Sequence, residues 1–318
     1  MSTVVNGCPH PPDPLLPKAL HCGMQLLYLV FGDNIQNHFQ ANFSILSFLR
    51  QDNGLLTGIT VVTDAPDFYQ HLASAVTVQA IDAATLNEWQ GEFKFFWRAK
   101  IKALEHVARQ QPDVPLLYLD TDTFLHGSLP QLSRELAAGT AFMHEAEAPL
   151  ARLTSKTERR MWQQVNGRAF GGITVHDKHQ MWNAGVVGIP AARNLEAIAL
   201  ALRICDELSA QQVTPRLIEQ FALSVALAET YAMQEARPYI GHYWSTKDEW
   251  NASIGAFLLE SHLKQRSVAD DLAALAAFDY QALPVKKITR NTQHRLHNLV
   301  RKLLPPRAVE FIPPVVKK

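Results

Sequence analysis

The chain has 318 residues and a mass of 35.6 kDa, and its 47% apolar and 19% charged residues suffice for one large or two ordinary folded domains. Only 15 Gly and 18 Pro are present, and no apolar run approaches the roughly 18 residues a bilayer needs, so disorder, collagen-like structure and membrane-spanning helices are excluded. Basic and acidic residues both total 30, but residues 281–318 hold nine Lys and Arg against one acid, leaving 21 basic and 29 acidic residues elsewhere.

The proline-rich start lacks the basic segment and apolar block of a secretory signal, so a cytoplasmic protein is expected. Three cysteines, Cys8, Cys22 and Cys205, without metal-type spacing suit a reducing compartment. Residues 25–31 form a continuous apolar run ending in Gly32-Asp33-Asn34, the pattern of a buried parallel strand with a polar loop at its carboxyl end. Phe39, Phe43, Leu46 and Leu49 then recur near helical spacing up to the turn residues Asp52-Asn53-Gly54. Strands are predicted at 58–64, 76–81 and 115–119, with a long helix over 93–109 before the last of them. Later strands are expected at 140–144, 173–175 and 182–189, followed by helices over 195–208 and 215–230. The alternating β-α-β order implies an open sheet with ligands at the carboxyl ends of its strands. Residues 146–170, holding Arg152, Lys156, Arg159, Arg160 and Arg168, read as a surface excursion: a lid or an ordinary helical insertion.

Asp120-Thr121-Asp122 places two carboxylates at the exit of the hydrophobic strand 115–119. In an extended chain, residues two apart face the same side, so both acids can meet one hard cation. With 15 Asp in the chain, such a triplet arises about 0.7 times by chance, so its place after a buried strand is what gives it weight. Abutting carboxylates repel each other, and a divalent ion is the usual reason to tolerate that. The bland alternative is a solvated turn leading into a helix from Leu129.

At this motif and at separate patches from about Leu26 to Trp250, the chain resembles nucleotide-sugar glycosyltransferases of the GT-A fold, most closely the family-8 type. The resemblance implies an α/β GT-A (nucleotide-diphospho-sugar transferase) fold, with an open, mixed, mostly parallel sheet flanked by helices. It further implies that Asp120 and Asp122 hold Mn2+ (or Mg2+) against the donor diphosphate, with His242 as third protein ligand and Thr121 between them. Phe31-Gly32-Asp33-Asn34 looks like that family's opening nucleotide-binding loop. Arg98 sits where the family has an arginine reaching the donor, and Asn183-Ala184 belongs to a strand under the sugar. Glu219-Gln220 falls near the reacting carbon, the expected catalytic position, and Lys247 is expected on phosphate. His242-Tyr-Trp-Ser245-Thr-Lys247 departs from the family's His-x-x-Gly-x-x-Lys by Ser245 and by one residue before Lys247.

Each position also has an ordinary structural reading. Asp33 and Asn34 suit a turn, Arg98 and Lys102 a solvated helix face, Asn183-Ala-Gly a narrow strand, and Glu219 a helix dipole partner. Residues 1–23 are expected to be irregular, 24–280 to form the transferase domain, and 281–318 a basic tail. Within the tail, Leu296, Leu299, Val300, Leu303 and Leu304 follow amphipathic helical spacing among Arg290, Arg295, Arg301 and Lys302. That helix would dock on an anionic membrane surface at the inner face, or on the enzyme's own acidic body. Nucleic acid is not an expected partner.

The function expected is metal-dependent sugar transfer from a nucleotide-sugar, such as a UDP-sugar, to a hydroxyl acceptor. Retention of configuration and a glycan or lipid-linked acceptor in bacterial surface glycan synthesis go with it. A haloacid-dehalogenase-like phosphatase using Asp120 and Asp122, with Asp270-Asp271 as its later acidic pair, is one alternative. A nucleotide-sugar or glycan-binding protein without turnover is the other.

Overall fold

The apolar runs of the first 120 residues become strands covered on both faces, because successive side chains of each strand pass to opposite sides of one sheet. The structure, a computed structural model, describes residues 23–286 and Leu299. In chain order its first half comprises β1 (Met24–Val30), α1 (Ile35–Leu49), β2 (Leu56–Thr63), β3 (Thr77–Ala80), α2 (Ala83–Trp89), α3 (Arg98–Gln110), β4 (Leu116–Leu119), β5 (Thr123–Leu125) and α4 (Leu129–Ala137). There follow β6 (Ala141–Met143), β7 (Ala146–Pro149), α5 (Lys156–Val165), β8 (Ala169–Phe170), β9 (Ile173–Thr174), β10 (Gln180–Trp182) and β11 (Val186–Ile189). The last are α6 (Asn194–Ala210), α7 (Ile218–Thr230), β12 (Met233–Glu235), β13 (Ile240–His242), α8 (Lys247–Leu263) and α9 (Val268–Leu275).

Seven strands form the central sheet in the order β12-β6-β11-β4-β1-β2-β3. All neighbours pair in parallel except β11, which runs against both β4 and β6. The expected open, mixed, mostly parallel α/β sheet flanked by helices is therefore present. Leu27, Leu116 and Tyr118 point into a core shared with α3, α6 and α7, whereas Leu26, Tyr28, Leu117 and Leu119 point into a second core under α1, α8 and α9. The chain leaves β1 toward β2 and β3, then returns through α3 to place β4 on the other flank of β1. That reversal opens a crevice at the carboxyl ends of β1 and β4, where an open α/β sheet binds its ligand.

Three expectations change in detail. The helix over 93–109 starts only at Arg98, because Gly91 (φ 70°) and Lys94 (φ 51°) turn the preceding segment. The strand over 182–189 is two strands: β10 pairs with β7 outside the main sheet, β11 lies inside it, and Asn183-Ala-Gly185 crosses between them. The excursion over 146–170 is a packed insertion carrying α5, whose Met161 and Val165 are buried. No helix among the described residues is long and apolar enough to cross a membrane. The amphipathic stretch expected over 296–304 lies outside the described residues except Leu299, as does the start of the chain before Gly23.

Candidate functional site

Because Tyr118 faces α3, the residue two further on does as well, and Asp120 emerges from β4 toward α3 and α7. Its Oδ1 accepts a hydrogen bond from the Tyr118 hydroxyl at 2.8 Å and lies 3.2 Å from Lys100 Nζ. The chain then turns rather than staying extended, so Asp120 and Asp122 converge through a turn between β4 and β5, not through a shared strand face. Thr121 Oγ1, in that turn, donates to Gln40 Oε1 on α1 at 3.0 Å. Asp122 is 4% exposed.

His242 reaches this turn because β13 pairs antiparallel with β5, setting His242 opposite Thr123. Its Nε2 is 3.4 Å from Asp122 Oδ1, and its Nδ1 is 3.1 Å from Asn183 Oδ1. The Gly185 N–H donates to that same Asn183 oxygen, which identifies it as an acceptor; His242 Nδ1 is therefore the donor. With Nδ1 tied to Asn183, Nε2 is the ring nitrogen turned toward Asp122, the orientation a second partner imposes on a metal-ligating imidazole. Ligand atoms of Asp120, Asp122 and His242 all lie within 4.8 Å of one another. Two carboxylate oxygens and one imidazole fit Mn2+, or Mg2+ less closely. Gly185 is obligatory at this point, since a Cβ there would stand 2.2 Å from His242 Cε1.

Two lysines complete the charge pattern. Lys247, at the start of α8, places Nζ 2.9 Å from Asp122 Oδ2 while remaining 43% exposed. Burial alone would push the Asp122 carboxyl up, but the His242 and Lys247 contacts outweigh it and hold the group well below the usual carboxylate range. Lys100 is buried, touches Asp120, sits 3.1 Å from Glu219 Oε1, and donates to the Ala184 carbonyl at 3.1 Å. Burial would lower its pKa, yet Asp120 and Glu219 raise it above the ordinary lysine value. Glu219 shifts up through burial, with the Lys100 charge opposing and the Asp120 charge reinforcing.

Two adjoining clefts share Trp97, Lys100 and Asp120. One, of about 220 Å³, runs along Phe31, Asn37, Thr121, Asp122 and Lys247; the other, of about 270 Å³, holds Asn183, Ala184, Arg216, Glu219, Gln220 and His242. Larger hollows of about 620 and 670 Å³ lie elsewhere; the first touches this region only through His242, and neither contains the aspartate pair.

Of the residues singled out in the sequence, Phe31, Asp120, Thr121, Asp122, Asn183, Ala184, Glu219, Gln220, His242 and Lys247 are thus brought together. Arg98 is not: its guanidinium grips both Asp206 oxygens and the Trp89 carbonyl, bracing the turn before α3. Asn34 caps α1 by accepting from the Gln36 N–H, and Gly32 (φ 77°) ties the loop to Asp64 through its N–H. Gly32, Asp33 and Asn34 are absent from both cleft linings. Lys100 is the residue the sequence reading missed. Its signal was legible, since it shares a helical stripe with Ala103, Leu104 and Val107, where a charge needs a buried partner. The acidic pair required by the phosphatase alternative is engaged elsewhere: Asp270 caps α9, and Asp271 binds His71 and Ser261.

No protein-family model matches the chain, and no curated protein matches it in sequence. Among solved structures, the galactosyltransferase LgtC in complex with donor and acceptor sugar analogs is 13% identical, covering 67% of this chain and 74% of that one, with a TM-score of 0.46. Mouse xyloside xylosyltransferase 1, apo form, is 13% identical over 67% of this chain and 84% of its own, with a TM-score of 0.44. The apo structure of WbbM, a bifunctional glycosyltransferase, is 11% identical over 71% of this chain and 40% of its own, with a TM-score of 0.45. Superpositions this loose assign no activity to the chain.

Proposed function

We propose that the chain is a metal-dependent glycosyltransferase of the GT-A type, moving a sugar from a nucleotide-sugar such as a UDP-sugar to a hydroxyl of a glycan or lipid-linked acceptor. The observation that carries this reading is the convergence of Asp120, Asp122 and an Asn183-oriented His242 at the sheet's switch point. A divalent ion held there by the two carboxylates and Nε2 would supply Lewis-acid stabilisation to a diphosphate leaving group. The remaining work falls to fixed groups of the chain. Lys247, half-exposed beside Asp122, supplies charge where the leaving group gains it. Lys100, locked between Asp120 and Glu219, holds the first aspartate in place beside the cleft. Ala184 and Gly185 keep the floor low, so that a sugar ring can lie against the backbone. Gln220, donating to Glu147, and Glu219 border the position of the transferring carbon. Retention of configuration is the expected stereochemical outcome.

Thermal melting with UDP-sugars, with and without Mn2+, tests the proposal. A ligand at 100 times its Kd stabilises by about 2.7 kcal/mol. The stabilisation should require both ligands and should disappear in Asp122→Ala. A shift from the nucleotide-sugar that persists without metal in that variant would refute the assignment.

A further inference from the structure

The insertion between β6 and β10 carries a charge pattern that neither the sheet nor the cleft needs. On α5, at 100° per residue, Met161 and Val165 face the core, and Lys156, Arg159, Arg160 and Gln163 occupy the opposite, exposed face. None of those three cations forms an ion pair or side-chain hydrogen bond with any described residue. The one acid on the helix, Glu158, is held by the capping box with Ser155. Arg152, exposed in the turn that packs against α5, adds a fourth cation without an ion-pair partner among the described residues.

The helix that carries this face also touches the segment bordering the cleft. The 3-10 turn Pro215–Leu217 packs on α5, with Gln164 Oε1 accepting from both the backbone N–H and the hydroxyl of Thr214. In that turn Arg216, also without a charged partner among the described residues, lines the cleft beside Glu219, Gln220 and Trp97. On the near side of the insertion, Glu147 of β7 binds Gln220. Basic side chains without a charged partner among the described residues thus stand both on the outer face of α5 and, on the turn packed against that helix, at the rim where a sugar would receive or lose its bond. The outer face of α5 presents no apolar side chain, which an interfacial membrane helix would need in order to insert. Half-exposed Trp97, by contrast, offers the cleft a flat ring suited to the C–H face of a sugar.

We propose that the acceptor is an anionic glycan, one whose units carry phosphate or carboxylate groups, which α5 recruits through Lys156, Arg159 and Arg160 and Arg216 delivers to the cleft. The word acceptor rests on the transferase reading above; the binding surface does not. Its test needs neither donor nor metal, so it separates from the test of that reading. Binding of fluorescent dextran sulfate and of neutral dextran is measured by anisotropy across a salt series. The samples are the wild type, K156Q/R159Q/R160Q, Arg216→Gln, and Lys264→Gln as a paired surface control. The triple variant replaces exposed cations with a residue of similar helix propensity, and its melting curve verifies the fold.

The expected result is at least tenfold weaker dextran sulfate binding in the triple variant, with a salt slope shallower by about two units. Arg216→Gln should show a smaller loss, Lys264→Gln none, and neutral dextran no binding. Unchanged affinity and slope in the triple variant would overturn the proposal. So would a loss confined to vesicles containing phosphatidylglycerol, with dextran sulfate binding intact, which would identify α5 as a lipid-facing surface.

Discussion

Gly185→Ala is the sharpest probe of the site, because it perturbs the proposed metal ligand without removing any ligand atom. The new Cβ would lie 2.2 Å from His242 Cε1, 2.5 Å from Nδ1 and 2.9 Å from Nε2. Ordinary carbon contacts sit at about 3.5–4.0 Å, so the ring must retreat by more than about 1 Å. It cannot do so and keep the 3.1 Å contact between Nδ1 and Asn183, nor can Nε2 keep a position that ligation tolerates only within about 0.2 Å. Overpacking of this kind costs about 1–3 kcal/mol. At about 2–4 °C per kcal/mol for a domain of this size, the melting temperature should fall by a few degrees to about 10 °C. Loss of an orienting contact alone weakens metal sites about 10–100-fold, and displacing the imidazole should do at least as much. Isothermal titration of Mn2+ without nucleotide reads this directly. A variant that melts lower yet binds Mn2+ with the wild-type Kd would show that His242 is not a ligand.

Lys100→Met leaves Asp120 and Glu219 facing each other without their shared cation, and removing one partner of a buried ion pair costs about 3–5 kcal/mol. Urea denaturation should show that loss, and K100M/E219Q should recover at least about 1 kcal/mol of it; strictly additive losses would contradict the pairing. His144, buried beside His242, is pushed down to about 3 by burial first and by the neighbouring imidazole second. Below the ordinary value of 6.5 the unfolded chain takes up a proton that the folded chain refuses, so stability falls as the pH drops from 6.5 toward 3, by about 2 kcal/mol at pH 5. His144→Leu should lack that part of the loss between pH 7.5 and 5.0; parallel pH profiles for the two proteins would refute it. Arg98→Ala should lower stability by about 1–2 kcal/mol, since a partly exposed pair and its packing are lost, and leave UDP-sugar binding within about twofold. A tenfold weaker donor affinity would return Arg98 to the cleft.

The sheet was legible where strand pattern and burial coincide. Residues 25–31 and 115–119 are apolar on both faces because both faces are covered, and runs of that length and composition have few other uses. The helices α8 and α9 were not legible. Along the 17 residues of α8 only Trp250, Ile254 and Ser261 are buried, so no stripe emerges; Trp250 is anchored instead by stacking on Tyr243 and by donating to the Pro284 carbonyl. A side chain held by a distant segment leaves no periodic trace.

The site divides along the same line. Asp120-Thr-Asp122 announces itself because two adjacent acids at a strand exit are costly without a cation. Arg98 misleads because on α3 the helical phase, not the charge, decides what reaches the crevice. Arg98 lies at the mouth of the helix and turns back to Asp206, whereas Lys100 continues the stripe of Ala103, Leu104 and Val107 beneath the sheet. The same phase argument assigns α5: its cations have no partner among the described residues because its buried stripe is already complete with Met161 and Val165. A charge on a helix is therefore best assigned by the face it shares. On the apolar face, as with Lys100, it must find its partner inside the protein; on the polar face, as with Arg159 and Arg160, it is free to find one outside.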